Sequence, residues 1–445
     1  MSQHHNEIAS GRRAGVLDRI LRLFSEVKPG EATTVLLMLF NIFLILVCYY
    51  VIKTIREPLI LATGGAEVKS YAAAGQALVL MLFIPIYGWF SSRVDRVKLV
   101  VGVTLFFVLN IELFSLAVGA EFAYVGVVFF IWVGFFSLTI IAQFWSYAND
   151  IYSKDAGNRL FPIIGIGMTA GAPVGAALAE RLFNDGIAPH LMLHISAVLL
   201  LVTLGLYLAV NGRETRRVTD STASQEALAP GNGFALVLRS RYLRYIALLF
   251  ILLNLVNTTG EYLIGKLIIS EADSALASGL AADKGAFIGA FYGNYYFWVN
   301  IVAVSLQALV VSRIVKYTGL RGVLLLLPFI SLGAYGLIAA GIGFSAVRWA
   351  KTAENSTDYS VMNTARQLLW LPTSREEKYK AKQTVDTFIV RFGDVLSAGF
   401  VFAGTTWLGL DITGFAAGNI GIVLLWLGVA FLILKEHRKL SQATK

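Results

Sequence analysis

Residues 32–57 read ATTVLLMLFNIFLILVCYYVIKTIRE. Residues 32–52 carry no charge, and about 20 mostly apolar residues suffice for a helix to cross the hydrocarbon core of a bilayer. Lys53, Arg56 and Glu57 follow in the same run. The stretch therefore predicts a membrane helix that carries three ionisable side chains toward its far end.

The composition of the whole chain agrees with a membrane protein. Of its 445 residues 57% are hydrophobic and 15% are charged, and the mean hydropathy is +0.68, whereas about a quarter of the residues in a soluble domain are charged. This balance excludes a soluble enzyme, a nucleic-acid-binding protein and a disulfide-built secreted domain. The single cysteine, Cys48, has no partner, and there is no CxxC motif or Cys/His cluster. We therefore expect no metal and no other cofactor.

Apolar runs of similar length recur along the chain. Clear runs lie near 32–55, 70–90, 98–118, 122–146, 160–182, 191–210, 243–268, 286–311, 322–341 and 414–434, and two segments near 343–370 and 383–408 are long enough but carry charges. We predict an all-α integral membrane protein with twelve transmembrane helices, ten being the alternative. Twelve spans place 27 of the 37 Lys and Arg residues on one side, and three (Lys69, Arg181 and Lys284) on the other. Positive charges favour the cytoplasmic side, so both termini are predicted to be cytoplasmic, in a bacterial inner membrane.

A polar linker at 212–240 divides the chain. It separates a six-helix bundle at 32–211 from a second one at 241–437, with a cytoplasmic segment at 1–31 and a tail at 438–445. Two six-helix bundles joined by a cytoplasmic loop describe the major facilitator architecture, in which substrate binds between the halves near the bilayer midplane.

Fourteen ionisable residues lie inside the predicted spans. Each costs about 2.5–3.5 kcal/mol at the centre of a membrane helix, so they must face one another or a water-filled cavity. We interpret them as a transport path, the alternative being salt bridges that pin helices together, which we favour for Glu57. The fourteen are Lys53, Arg56, Glu57, Glu112, Glu261, Lys266, Arg348, Lys351, Glu354, Asp358, Arg366, Asp386, Arg391 and Asp394.

Candidate roles follow from charge and helical spacing. Two cations one helical turn apart can bind an anionic substrate, and either a phosphate or a carboxylate would fit. We predict anion contacts from Lys53, Arg56, Asn149, Lys351 and Arg391. Coupling or gating is predicted for Glu112, Glu261, Asp358, Asp386 and Asp394, and a cytoplasmic gate for Asp95 and Arg96, in a loop similar to the cytoplasmic motif of major facilitators.

Two further patterns concern packing. Gly167, Gly171 and Gly175 form overlapping GxxxG motifs, which favour close helix contact over phosphate binding. The segment 291–300 is rich in aromatic residues, which predicts a belt at the membrane interface rather than a platform that stacks on a purine base.

Three segments resemble the non-mitochondrial nucleotide (ATP:ADP) translocases of plastids and obligate intracellular bacteria. They are Lys53-Thr-Ile-Arg56-Glu57-Pro58, the run from Phe144 to Gly165, and the run from Tyr359 to Gly393. The resemblance implies a twelve-span exchanger of ATP for ADP or related nucleotides, in which Lys53 and an acid near Glu261 contact the substrate, although Asn257 is the alternative to Glu261.

Two departures from that family's pattern are visible. No charge lies between Val133 and Ile141, and Asp394 replaces a lysine of the family after the late Arg-x-Gly. The first is the absence of an acid that the family carries early in the fourth span. The second loses a cation and gains an anion in the path, which should weaken the binding of a tri-anionic or tetra-anionic ligand. No Walker motif, nucleophile elbow or HExxH is present, so we expect a nucleotide exchanger and not an enzyme. A proton-coupled carrier of another organic anion and a non-transporting membrane sensor or assembly partner are the alternatives.

Overall fold

A computed structural model describes residues 26–28, 30–91, 93–214 and 233–443, and these residues form helices and short connections without a β-strand. The first helix, Ala32–Ser91, is broken at Gly65 into α1 (32–64) and α2 (66–91). The others are α3 Arg96–Gly119, α4 Val125–Ile151, α5 Lys154–Asn184, α6 Pro189–Glu214, the short helix Gly233–Arg239, α7 Arg241–Ala277, α8 Lys284–Leu309, α9 Val311–Ala339, α10 (344–369), α11 (377–406) and α12 Ile412–Ala443.

The break at Gly65 is a reversal of the chain. Gly65 has φ of 79°, a left-handed conformation that glycine adopts without a steric penalty. Lys69 Nζ lies 2.7 Å from Glu57 Oε2, whereas twelve residues of straight helix would separate the two backbones by about 18 Å. The chain therefore doubles back, and α1 and α2 are antiparallel. The prediction that Lys69 lies in an outer loop was wrong, because Lys69 is a buried residue of α2.

The structure confirms an all-α integral membrane protein. Nine helices in the described part of the chain are long and apolar enough to cross a membrane, with Ala32–Ser91 counted as one. Helices α8 and α10 are not among the nine, because both carry many polar side chains. The count of twelve spans therefore stays a prediction.

Helices α10 and α11 contain wide π turns. In α10 the turn Asp358–Met362 separates the α-helical pieces Phe344–Thr357 and Asn363–Leu369. In α11 two π turns, Glu377–Ala381 and Val385–Ile389, flank Lys382–Thr384 and precede Val390–Thr406. Such turns are often found at functional sites, and here they occur in the two segments that the sequence marks as charged.

The predicted domain boundaries fall partly outside the described residues. Residues 1–25, most of the predicted cytoplasmic segment, and residues 215–232, most of the linker, are not described. The two predicted bundles span α1–α6 and α7–α12, and this division stays a prediction. Helix α12 runs on to Ala443, past the predicted boundary at 437.

Three glycines bring α5 directly against the backbone of α1. A Cβ atom on Gly167, Gly171 or Gly175 would lie 2.3, 2.4 or 2.6 Å from a backbone carbonyl oxygen of α1. No side chain fits at such a distance, so the glycines permit the contact. The packing role predicted from the GxxxG motifs is confirmed.

We expect Gly171→Ala to destabilise the protein. The new methyl group would meet the carbonyl oxygen of Phe43 at 2.4 Å, and the two helices would have to separate. Gly165→Ala, on the same helix, meets nothing within 4 Å and should be neutral or stabilising, by up to about 1 kcal/mol from helix propensity alone. Thermal unfolding of the two purified variants in one detergent tests the difference. Equal midpoints would contradict the packing described here.

Candidate functional site

A polar cavity of about 300 Å³ lies between the two predicted bundles, and its lining residues come from α1, α2, α4, α7, α8, α10 and α11. Its charged lining residues are Lys53, Arg56, Lys69, Glu261, Arg391 and Asp394. A second chamber shares Tyr49, Arg56, Gln76 and Arg391 with the first and continues along α4 past Ser137. The two chambers are therefore adjacent, and both halves of the molecule contribute to their walls.

Four charged side chains form a cluster across the two halves. Glu57 is fully buried and forms an ion pair with its neighbour Arg56, and Lys69 Nζ lies 2.7 Å from Glu57 Oε2. Lys69 also reaches Glu261 of α7, at 3.5 Å from Oε2. Tyr296 of α8 donates a hydrogen bond to Glu57 at 3.0 Å. Two carboxylates thus hold two cations in the interior of the molecule, where an unpaired charge would be costly.

Lys53 differs from the other cations of the cavity, because no carboxylate lies within 4 Å of it among the described residues. Its ammonium group lies 4.1 Å from the centre of the Tyr296 ring and 5.2 Å from that of Tyr50. Cation–π contacts stabilise the charge but leave it without a counter-ion. Lys53 is therefore available to an anion that enters the cavity.

On the opposite wall of the cavity, Arg391 and Asp394 form a longer ion pair than Lys69 and Glu57 do. Arg391 lies 3.7 Å from Asp394, one turn further along α11. Asp394 Oδ1 accepts hydrogen bonds from Asn254 at 2.6 Å and Thr258 at 2.8 Å, both on α7. The carboxylate is thus held firmly, while most of the Arg391 guanidinium remains free to bind another group.

The contacts between the two halves concentrate at one end of the molecule, the end that contains Gly65. There Glu67 binds Lys266 at 2.8 Å and Tyr262 at 3.1 Å, and Glu180 of α5 accepts a hydrogen bond from Asn294 at 2.8 Å. At the other end, ion pairs among the described residues stay within one half, such as Arg96 with Asp150. The cavity is therefore sealed toward the Gly65 end.

Five of the predicted site residues meet in this cavity. Among the predicted anion contacts these are Lys53, Arg56 and Arg391, and among the predicted coupling residues Glu261 and Asp394. They come from α1, α7 and α11, so the grouping joins residues that lie far apart in the sequence.

Lys351 does not line the cavity. It is completely buried, and it forms an ion pair with Glu354 on its own helix and a hydrogen bond to Tyr335 at 3.3 Å. Glu354 in turn accepts a hydrogen bond from Ser331 at 2.9 Å. These contacts join α10 to α9, so the position of Lys351 fits a structural ion pair rather than an anion contact.

The other predicted residues also lie outside the cavity lining. Asn149 is exposed at the end of α4, and Glu112 is half-exposed and lies 2.6 Å from His194 Nδ1. Asp358 pairs with Arg366 at 3.2 Å within α10, and Asp386 is exposed.

Asp95 and Arg96, the residues of the predicted cytoplasmic gate, contact nearby elements of the first half. Asp95 caps α3 by accepting hydrogen bonds from the backbone amides of Val97 and Lys98. Arg96 lies 2.8 Å from Asp150 and thereby joins the ends of α3 and α4. Both contacts lie inside the first half, and their part in gating stays a prediction.

Several lining residues were missed in the sequence. Lys69 was assigned to a loop, and the polar face of α7, formed by Asn254, Thr258 and Glu261, was not recognised as a unit. Their spacing of three to four residues was the available signal. The predicted aromatic belt at 291–300 was wrong for its tyrosines, because Tyr292, Tyr295 and Tyr296 are all buried between helices.

No group of three or more His, Cys, Asp or Glu side chains positioned to hold a metal ion occurs among the described residues.

The fold is shared with solved transporter structures. The nucleoside transporter NupG superposes with a TM-score of 0.65 at 12% identity, over 90% of this chain and 98% of that one. A bacterial homologue of the iron transporter ferroportin, in its inward-facing state, superposes with a TM-score of 0.63 at 15% identity, over 90% and 98%. The chain has the major facilitator fold.

Sequence comparison finds relatives among bacterial carriers. An ADP,ATP carrier protein 1 of Chlamydia trachomatis is 22% identical, over 65% of this chain and 61% of that protein. The ADP,ATP carrier protein 1 of Rickettsia bellii is 21% identical, over 96% of this chain and 98% of that protein. No protein-family model matches the chain. The resemblance drawn from the sequence is confirmed, since these relatives are named ADP,ATP carrier proteins.

The role of Lys351 can be tested by stability. Lys351→Met leaves the buried Glu354 carboxylate without its counter-ion, and we expect the free energy of unfolding to fall by about 3–5 kcal/mol. The double variant Lys351→Met/Glu354→Gln removes both charges and should recover part of that loss. Thermal unfolding measures both. A Lys351→Met protein of unchanged stability that no longer binds anions would instead assign Lys351 to the substrate.

The wetness of the cavity can be tested by thiol labelling. Cys48 is the only cysteine and is fully buried, so the wild-type protein should not react with a charged maleimide. Ser137→Cys places a thiol on the cavity wall and should react, whereas Ser196→Cys, at a fully buried position, should not. A folded Ser137→Cys protein that resists labelling would show that water does not reach this wall.

Proposed function

We propose that the protein is a secondary active transporter that exchanges nucleotides across a membrane by alternating access. The observation that carries this proposal is the cavity between the halves, which holds four cations, one of them without a counter-ion among the described residues, and is closed toward the Gly65 end by contacts between the halves. Relatives named ADP,ATP carrier proteins support nucleotides as the substrate class. A transporter of this kind is not an enzyme, and we propose that nucleotide binding takes place in this cavity.

In the proposed cycle, the contacts that seal the Gly65 end break and form again. Opening that end requires the Lys69–Glu261 and Glu67–Lys266 pairs to break, since both join α2 to α7. A rocking of the two bundles would break them together and close the opposite end. Alternating access of this type is common among carriers built from two helical bundles.

The orientation in the membrane is also a proposal. An excess of Lys and Arg at the Asp95 end favours the cytoplasm for that end, which would place both termini there and the Gly65 end outside the cell. The cavity would then be closed toward the outside of the cell, in a bacterial inner membrane.

Reconstituted vesicles test the function. Uptake of labelled adenine nucleotides should depend on unlabelled nucleotide loaded inside, because an exchanger returns only when it is loaded. Uptake driven by a pH step alone, without internal nucleotide, would favour a proton-coupled carrier of organic anions. Absence of any anion flux from correctly folded protein would favour a membrane sensor or assembly partner.

Lys53→Ala should lower the apparent affinity for the transported anion. A hydrogen bond to a charged group contributes about 1.5–3 kcal/mol, so we expect a rise of about tenfold or more in the half-saturating concentration. Lys53→Arg keeps the charge and should restore part of the affinity. Lys439→Ala, at an exposed position near the end of α12, is the matched control. Unchanged uptake kinetics for Lys53→Ala would remove Lys53 from the binding site.

A further inference from the structure

The positive charge of the cavity is largely cancelled by the protein itself. Arg56 and Lys69 are balanced by Glu57 and Glu261. Arg391 is balanced by Asp394 on the same helix. With all of these groups ionised, four cations and three carboxylates leave a net charge of +1.

The surplus charge resides on Lys53. That ammonium has aromatic rings as neighbours rather than a carboxylate, while Asp394 is held in place by two hydrogen bonds from α7. Asp394 therefore remains close to whatever Arg391 binds, and an anion in the cavity meets one free cation and one cation that it must share.

A ligand with many charges is poorly matched to this site. A tri-anionic or tetra-anionic diphosphate or triphosphate would leave two or three negative charges without compensation between protein walls, where charges interact more strongly than in water. A single phosphate group carries a charge of about −1.5 to −2 near neutral pH. Such a group comes close to balancing the cavity.

The aromatic and amide side chains that line the cavity suit a flat, hydrogen-bonding group attached to that phosphate. Tyr49 and Tyr359 present aromatic surface to the cavity, and aromatic rings stack on flat ligands. Asn254, Asn257 and Asn355 line the same space. The Nδ2 groups of Asn254 and Asn355 already donate to protein acceptors, which leaves the side-chain amide of Asn257 to donate and accept hydrogen bonds with a ligand.

We propose that the preferred substrate is a nucleotide with a single phosphate, of the nucleoside monophosphate class, and that Asp394 determines this preference. Lys53 and the free side of the Arg391 guanidinium contact the phosphate. The carboxylate of Asp394 repels a second or third phosphate that would extend along α11. This inference rests on the proposed nucleotide exchange and narrows its substrate.

Competition in reconstituted vesicles tests the preference. Vesicles loaded with unlabelled AMP take up labelled AMP, and outside competitors are AMP, ADP, ATP and adenosine, all without Mg²⁺, which would neutralise phosphate charge. We expect AMP to compete at a concentration about tenfold or more below that of ATP, since the uncompensated charges of ATP are unfavourable between protein walls. Adenosine, which lacks the phosphate, should compete weakly.

Variants assign the preference to one side chain. Asp394→Asn retains most of the hydrogen-bonding shape and removes the charge, and we expect the ratio of ATP to AMP half-inhibition concentrations to fall about threefold or more. Asp394→Glu keeps the charge and should keep the preference. Asp185→Asn, which removes an exposed carboxylate paired with Arg181, is the control and should match the wild-type protein.

The outcomes separate the two proposals. If ATP competes with the wild-type protein as well as AMP does, the monophosphate preference is overturned while nucleotide exchange stands. An Asp394→Asn protein with an unchanged ratio overturns the role of Asp394. If no nucleotide is taken up or competes, nucleotide exchange itself is overturned. The wild-type comparison does not depend on the folding of any variant, and thermal stabilisation of the detergent-purified protein by AMP against ATP supplies a second readout.

Discussion

A carboxylate cannot remain unpaired at bilayer depth, and the arrangement around Glu57 follows from that constraint. Glu57 is fully buried in α1, and its charge is met by Arg56 on the same helix and by Lys69 on α2. Since Lys69 reaches on to Glu261, the same requirement draws α7 of the second half toward the first. Neutralising one acid thus closes the α1–α2 hairpin, joins the two halves and places two cations on the cavity wall.

The proposed cycle would tie the conformation of the molecule to the occupancy of the cavity. Lys69 lines the cavity and is also paired with Glu261 across the contact between α2 and α7. On that proposal, an anion held by Lys53 and Arg391 also attracts Lys69 and so weakens its pair with Glu261. A ligand can shift a conformational balance only through interactions that differ between the two states, and this attraction of Lys69 would supply such a difference.

Much of the fold could be predicted, and so could five of the six charged residues that line the cavity. The apolar runs gave helices at or near their observed positions, and the glycines of α5 identified a real backbone contact. Lys53, Arg56, Glu261, Arg391 and Asp394 were selected because they are charged and lie inside apolar runs, and all five line the cavity. The same criterion also selected Lys351, whose charge is paired with Glu354 in its own half. A charge inside an apolar run indicates that the residue is buried, but it does not indicate which residue it pairs with.

The sequence alone determined that the chain is a helical membrane protein whose ionisable residues must be hidden from lipid, because hydropathy and charge are properties of each segment by itself. Only the tertiary structure decided which charges meet. The pair of Lys69 and Glu261 joins residues 192 positions apart, and helical periodicity states which residues share a face without stating what that face contacts. The same holds for Lys69. The sequence predicts a loop at this position, but the reversal of the chain at Gly65 places Lys69 in the wall of the cavity.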